Sequence, residues 1–497
     1  MSKYILSIDQ GTTSSRVCLF DKSGSLVDQE QKEFTQIFPK PGWVEHNPEE
    51  IWSSVIFCLT EILKKYNSKD IVSIGITNQR ETIVAWNKET GIPIYNAIVW
   101  QCRRTAKLCT QLKPFEKKLN KITGLLLDPY FSGTKIRWLL DEVPKAKVLL
   151  KQKKLVVGTI DSFLIWKLTK GKVHATDVTN ASRTMLMDLK TRNWSPECLK
   201  ILKIPKEILP VIKPCNDFFG TVDCAELSGL IQTPIAIHGV AGDQQAALFG
   251  QTCFQKGSAK CTFGTGSFIL FNTGHSIATS KKGLLTTLAW ELKGEKPSYA
   301  LEGGAFNCGS VIQWLRDNLN LLTQSKDIEE IAGSVGSAEG VEFVPALTGM
   351  GAPYWKEKAT GLIHGLTRKT TKAHLLYATL ESLALQNVDI FKVMQLETRS
   401  KLRFLKVDGG ASKNNLLMQL QSDYLNVPVK RSRIAETTAV GVAFIAGLGS
   451  GFWLSKNELE KLWQEDREFK PQRNKKELSA RYRSWQQAIQ LTIQKQK

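Results

Sequence analysis

Three short turns constrain this chain more than any other feature of its 497 residues. They read "DQGTTSSR" (9–16), "FGTGSF" (263–268) and "VDGGASKNN" (407–415), and each follows a β-rich run. Glycine lets a backbone approach closely, so such turns present N–H and hydroxyl donors to phosphate oxygens. One turn of this kind is most often only a hairpin. Three in one chain point to a bound nucleotide. The commoner nucleotide motifs are missing: there is no Gly-x4-Gly-Lys-Ser/Thr loop, and no Gly-x-Gly-x-x-Gly opens a helix after a strand. That argues against both a P-loop enzyme and a Rossmann dinucleotide site.

The first two turns head two halves of similar design. "YILSI", the first turn, "RVCLFD", a "KSGS" turn and "LVDQEQKEF" read as a three-stranded meander. "NPEEIWSSVIFCLTEILKKY" follows as a helix, with Asn47 as N-cap, Pro48 at the first position, and Ile51, Val55, Leu59 and Ile62 on one face. "IVSIGITNQRETIVAWN" reads as two strands around a polar turn. From Ser258, "SAKCTFGTGSFILFNTG" repeats strand, turn and strand, and "GLLTTLAW" and "SYALEGG" continue it. The pattern predicts duplicated α/β domains, 1–252 and 253–497, each with a partly antiparallel sheet. "PQRNKKELSARYRSWQQAIQLTIQK" reads as a basic surface helix.

Composition excludes several classes. The 10 cysteines contain no Cys-x-x-Cys pair, and no His-Glu-x-x-His occurs, which excludes a disulfide scaffold and a zinc site of the usual spacing. "MSKYILSIDQG" has too short an apolar stretch for a signal peptide, so a cytoplasmic protein with reduced thiols is expected. "TTAVGVAFIAGLGSGFWLS" (437–455) is uncharged and long enough to span a bilayer. Its glycines predict instead a helix whose Ala/Gly face packs closely on a sheet. The net charge of +20 is mostly lysine spread along the chain, without the interleaved aromatics that stack on bases. It reads as a solvated surface with no specific nucleic-acid partner.

Taken in order, "DQGTTSSR", "TNQRET", "WQCRRT", "DPYFSGTK", "TNASRTMLMD", "AGDQQAALFGQ", "FGTGSF" and "PALTGMGAPYW" resemble the motifs of the FGGY carbohydrate kinases, from about Tyr4 to Trp453. The resemblance implies an α/β fold of two ribonuclease H-like domains, of the actin/hexokinase ATPase type, around a central cleft. It implies phosphoryl transfer from MgATP to the sn-3 hydroxyl of glycerol, in glycerol breakdown and lipid-precursor supply, by a homodimer or homotetramer. Thr12, Thr13, Ser14 and Arg16, with Thr265 across the cleft, would meet the ATP phosphates. Gly309, Gln313, Gly410 and Asn414 would meet the rest of the nucleotide. Asp9 and Asp243 would hold Mg²⁺, Asp9 through water because this ion dehydrates reluctantly. Arg80, Glu81, Asp243 and Gln244 would hold the glycerol hydroxyls, and Trp100, Tyr130 and Phe268 would line the pocket. Asp243 would also accept the hydroxyl proton.

The chemistry suits that assignment. Each hydroxyl of a triol both donates and accepts. Glu81 and Asp243 accept, Arg80 and Gln244 donate, and aromatic walls cover the carbon chain. Asp243 stands where the strand "TPIAIHGVAG" meets the helix "QAALFG". Helix N-terminal N–H groups favour an anion, so the carboxylate is expected to be kept ionised.

Overall fold

The computed structural model describes residues 3–494. The first turn closes a hairpin: Tyr4–Gln10 and Ser14–Phe20 pair antiparallel, and Leu26–Glu33 adds at the outer edge. Ile71–Asn78 pairs parallel with Tyr4–Gln10, and Ala236–Gly242 pairs parallel with Ile71–Asn78. The second sheet repeats these connections. Ala259–Phe263 and Ser267–Gly274 form its hairpin, and Ser298–Ala305 joins antiparallel. Leu405–Asp408 and Val429–Ser432 add in parallel on the other side. Leu285–Trp290 and Glu465–Phe469 extend its two edges. The duplication expected from the two hairpins is thus a shared strand order, antiparallel on one side and parallel on the other.

Both sheets are covered on their two faces, so their inner strands are apolar throughout rather than alternating. Ile5, Leu6 and Ile8 are all fully buried. One cover is the helix Pro48–Lys65, whose Asn47 side chain caps the Glu49 N–H at 3.0 Å and whose Ile51, Val55, Leu59 and Ile62 are buried. Another is the uncharged helix Thr437–Ser450. It lies on the first sheet, although in sequence it stands between two strands of the second, Val429–Ser432 and Glu465–Phe469. A Cβ on Gly75 would stand 2.5 Å from the Val442 carbonyl oxygen, and one on Gly239 would stand 2.7 Å from the Ala446 Cβ. The small residues therefore serve close packing, as expected. Among the described residues no helix is long and apolar enough to cross a membrane. All 10 cysteines are free and buried.

One expectation holds with an addition and one needs correction. Ile71–Asn78 and Ile83–Asn87 are the two expected strands, and they lie in different sheets. The turn between them takes Glu81 to φ 61°, which diverts the chain instead of reversing it onto its neighbour. The C-terminal helix Lys475–Gln494 is not purely a surface helix. It buries Trp485 and Ile489, and Tyr482, Trp485 and Gln486 all donate to Asp389 within 2.8 Å.

Parallel strands end together, and ligands gather beyond their carboxyl ends. Gln10 is in register with Asn78, and Asn78 with Gly242. Asp9, the Arg80 turn and Asp243 are thereby brought to one edge of the first sheet.

Candidate active site

The Arg80 turn is held from below. Ser132 Oγ and Lys135 Nζ both donate to the Glu81 carbonyl at 3.1 Å. Left-handed backbone is costly for a residue other than glycine and persists only where its surroundings fix it. Arg80 itself is buried, 3% exposed, and its guanidinium is fully committed. It pairs in a two-pronged contact with Glu302 at 2.6 and 3.0 Å, and its Nε lies 3.1 Å from Asp243 Oδ1. It also donates to Gln245 Oε1 at 3.1 Å and to the Tyr130 hydroxyl at 3.5 Å. Arg183 completes the lattice, donating to Glu81 at 2.6 Å and to Glu302 at 2.9 Å. Planar forks of this kind match carboxylates better than lysine does.

The aromatic wall begins at Trp100, whose indole N–H donates to Thr12 Oγ1 at 3.0 Å. Its ring meets Tyr130 edge-on, with centroids 5.7 Å apart. Thr12 therefore touches the pocket wall as well as lying in the first turn. Phe268 comes from the second sheet, half-buried, with its ring against Gly304. Thr13 and Ser14 continue the first turn, closed by the Gly11 N–H donating to Ser14 at 2.9 Å. Arg16 lies opposite Asp9 in the ladder and reaches Glu436 at 3.5 Å.

Across the cleft, the Gly264–Thr265 turn is tied to the start of the helix Gly309–Asp317. Gly309 N–H donates to Gly264 at 3.0 Å, and Cys308 N–H to Thr265 at 2.9 Å. A Cβ at 309 would stand 2.7 Å from the Gly264 oxygen, so packing alone already requires glycine there. Gln313 is exposed on that helix. Gly410 is open, with no atom near its missing Cβ. Asn414 caps the helix Asn415–Leu425 by accepting from Leu417 N–H at 2.8 Å, which leaves its amide N–H₂ free of that role.

Burial and charge set the carboxyl groups apart. Burial pushes Asp243 above the usual carboxylate range, against the opposing pull of Arg80 and Lys260. The Gln244 N–H does donate to Asp243, at 2.6 Å. That bond, like Arg80 and Lys260, favours the ionised form and opposes the upward pull of burial, the direction expected of the helix terminus. Asp9 rises to about 7 through burial, with Asp243 and Glu436 adding to the effect and Arg16 opposing it. Glu302 is also pushed up by burial, but Arg183 and Arg80 prevail and hold it at about 2. Asp9 and Asp243 thus oppose each other's charge, and a divalent cation beside them relieves both. Two hard oxygen donors suit Mg²⁺. No cluster of three or more ligating side chains occurs among the described residues, so water and nucleotide oxygens would complete the shell.

The residues missed from sequence are Glu302, Arg183 and Lys260, and Gln245 gains a definite place. Gln245 is fully buried and links Arg80 to Thr287 at 3.2 Å.

The chain as a whole is similar to known proteins. Residues 4–250 match the model of the "FGGY family of carbohydrate kinases, N-terminal domain", and residues 259–450 match its C-terminal counterpart. The chain belongs to the FGGY family of carbohydrate kinases. It is 53% identical to a glycerol kinase of Bdellovibrio bacteriovorus, over 99% of both chains. It is 51% identical to one from a Geobacillus species, again over 99% of each. The crystal structure of Plasmodium falciparum glycerol kinase with ADP superposes at a TM-score of 0.94 and 37% identity, covering 99% of this chain and 98% of that one. The two-domain α/β fold expected from the motifs is the one this FGGY kinase shares with that structure.

Proposed function

We propose that this FGGY kinase transfers the terminal phosphoryl group of ATP to the sn-3 hydroxyl of glycerol, with Asp243 as general base. The observation that carries this reading is the buried Arg80 fork. It holds Asp243, 33% exposed, at one end and reaches the hydroxyl of Tyr130, in the Trp100–Tyr130 wall, at the other. Relatives more than 50% identical along the whole chain carry the name glycerol kinase.

The residues divide the work. Arg80 orients the triol through Asp243 and the Tyr130 hydroxyl, which it holds in place, Glu81 and Gln244 offer an acceptor and a donor, and Trp100, Tyr130 and Phe268 exclude water from its carbon chain. Asp243 takes the proton as the hydroxyl oxygen attacks the γ-phosphorus and the bond to the ADP oxygen breaks. Its raised pKa makes it a better proton acceptor at neutral pH than an ordinary carboxylate. Thr12, Thr13, Ser14, Arg16 and Thr265 supply donors to the phosphates from both walls. Gly309, Gln313, Gly410 and Asn414 border the space for the nucleoside. Mg²⁺ held by Asp9 and Asp243 would neutralise phosphate charge, which together with positioning is the main source of rate in such transfers. A cytoplasmic location and a homo-oligomeric assembly belong to the same proposal. A coupled ADP-release assay over glycerol, xylulose, ribulose and gluconate tests it: glycerol is the expected substrate, and a better signal from any of the others overturns the reading.

A further inference from the structure

The Gln244 amide has a partner that comes from the opposite side of the cleft. Lys260 lies on Ala259–Phe263, the strand that leads into the Gly264–Thr265 turn, and its side chain is fully buried. Its ammonium donates to Gln244 Oε1, and to Thr262 Oγ1 at 2.9 Å. An ammonium has donors only, so it pairs with the oxygen of an amide and never with its N–H₂. The contact therefore settles which way Gln244 points. Its oxygen is turned to Lys260, and its two N–H donors are left for whatever fills the cleft. Gln244 is half-buried at the first turn of the helix Asp243–Gly250. An unpaired ammonium is expensive to bury. Here Asp408 and Asp243 stabilise it, although burial still pushes it below the usual lysine range.

We propose that Lys260 is a positioning residue for acceptor recognition: reaching from the second half, it fixes the Gln244 amide so that N–H, and not C=O, meets an oxygen of the acceptor polyol. The same strand then carries both a phosphate-facing turn and the group that sets the acceptor pocket. This rests on the glycerol reading above. Turnover of glycerol by the wild type reports on that reading, and the variants report on Lys260.

The test compares kcat and KM for glycerol, 1,2-propanediol and 1,3-propanediol in the wild type, Lys260→Met, Gln244→Ala and the double variant. Losing one oriented hydrogen bond is worth about tenfold. Lys260→Met is expected to raise the glycerol KM about tenfold, with a smaller change in kcat. It should lower the preference for glycerol over a deoxy analogue by the same factor as Gln244→Ala. The double variant should be no worse than Gln244→Ala, because both changes remove one interaction. Lys260→Arg keeps only donors and should retain the low KM. Lys260→Gln donates and accepts, leaves the amide free to flip, and should fall between Lys260→Arg and Lys260→Met. That ordering carries the test even where the methionine variant does not fold. An unchanged KM in Lys260→Met overturns the proposal. So do penalties that multiply in the double variant, a loss spread equally over all three polyols, or Lys260→Gln outperforming Lys260→Arg.

Discussion

At the residue scale, the site is a neutralised lattice before any ligand arrives. Arg80, Arg183 and Lys260 face Glu81, Glu302 and Asp243, and all but Asp243 are almost fully buried. Breaking one member leaves a buried charge uncompensated, which is the costly way to disturb such a network. Glu302→Gln should therefore destabilise the protein by about 3 kcal/mol at neutral pH. The pH dependence has a definite sign. Glu302 sits at about 2 in the folded protein against an ordinary 4.5, so its contribution is full above 4.5 and is lost as pH falls toward 2. Urea titrations should show that part of the acid sensitivity missing in the variant; an identical pH profile would contradict the pairing. Asp243→Asn should lower kcat by at least about 10²-fold with the fold intact. Near-normal turnover by the folded variant would make Asp243 a structural residue. The motif residues were legible because each sits in a local pattern of glycines, hydroxyls or charges. Glu302 and Lys260 were not, nor was the role of Arg183 within its motif, because their partners lie on distant strands and turns. Glu302 stands in an apolar strand beside two glycines, where nothing local reports a guanidinium 222 residues away in sequence.

At the element scale, the helix Thr437–Ser450 shows why an uncharged stretch need not enter a membrane. Its Gly441 faces the helix Asp243–Gly250 so closely that any Cβ there would overlap the Ala246 carbonyl. Gly441→Ala should destabilise by about 1–3 kcal/mol through forced separation of the two helices. Because one of those helices begins at Asp243, activity should fall as well. Gly333, at the end of the helix Asp327–Gly333, has open space around its missing Cβ. Gly333→Ala should be neutral or stabilise by up to about 1 kcal/mol. Thermal melts of the two variants check both signs, and equal effects would contradict the packing argument. The small-residue face was readable from the sequence. The second face of the C-terminal helix was not, because Trp485 and Ile489 are diluted among polar and basic residues and the partner of Trp485, Asp389, lies on another helix.

At the scale of the whole molecule, one strand order is used twice, and the two hairpin turns face a shared cleft. The repeat was visible in sequence as two Gly/Thr turns of matching context. The sheet order itself was not, since parallel pairing joins strands far apart, such as Ile71–Asn78 with Ala236–Gly242. Phosphates held by turns from both halves should draw the halves together and exclude water. Small-angle scattering should show a smaller radius of gyration with glycerol and a non-hydrolysable ATP analogue than with neither; an unchanged radius would count against closure. The central claim is simpler and is met most directly by ADP release from MgATP with and without glycerol. The prediction is a saturable, glycerol-dependent rate that exceeds those with xylulose, ribulose and gluconate, and that falls at least about 10²-fold in Asp243→Asn. Release that is indifferent to glycerol, or that survives intact in Asp243→Asn, would contradict it.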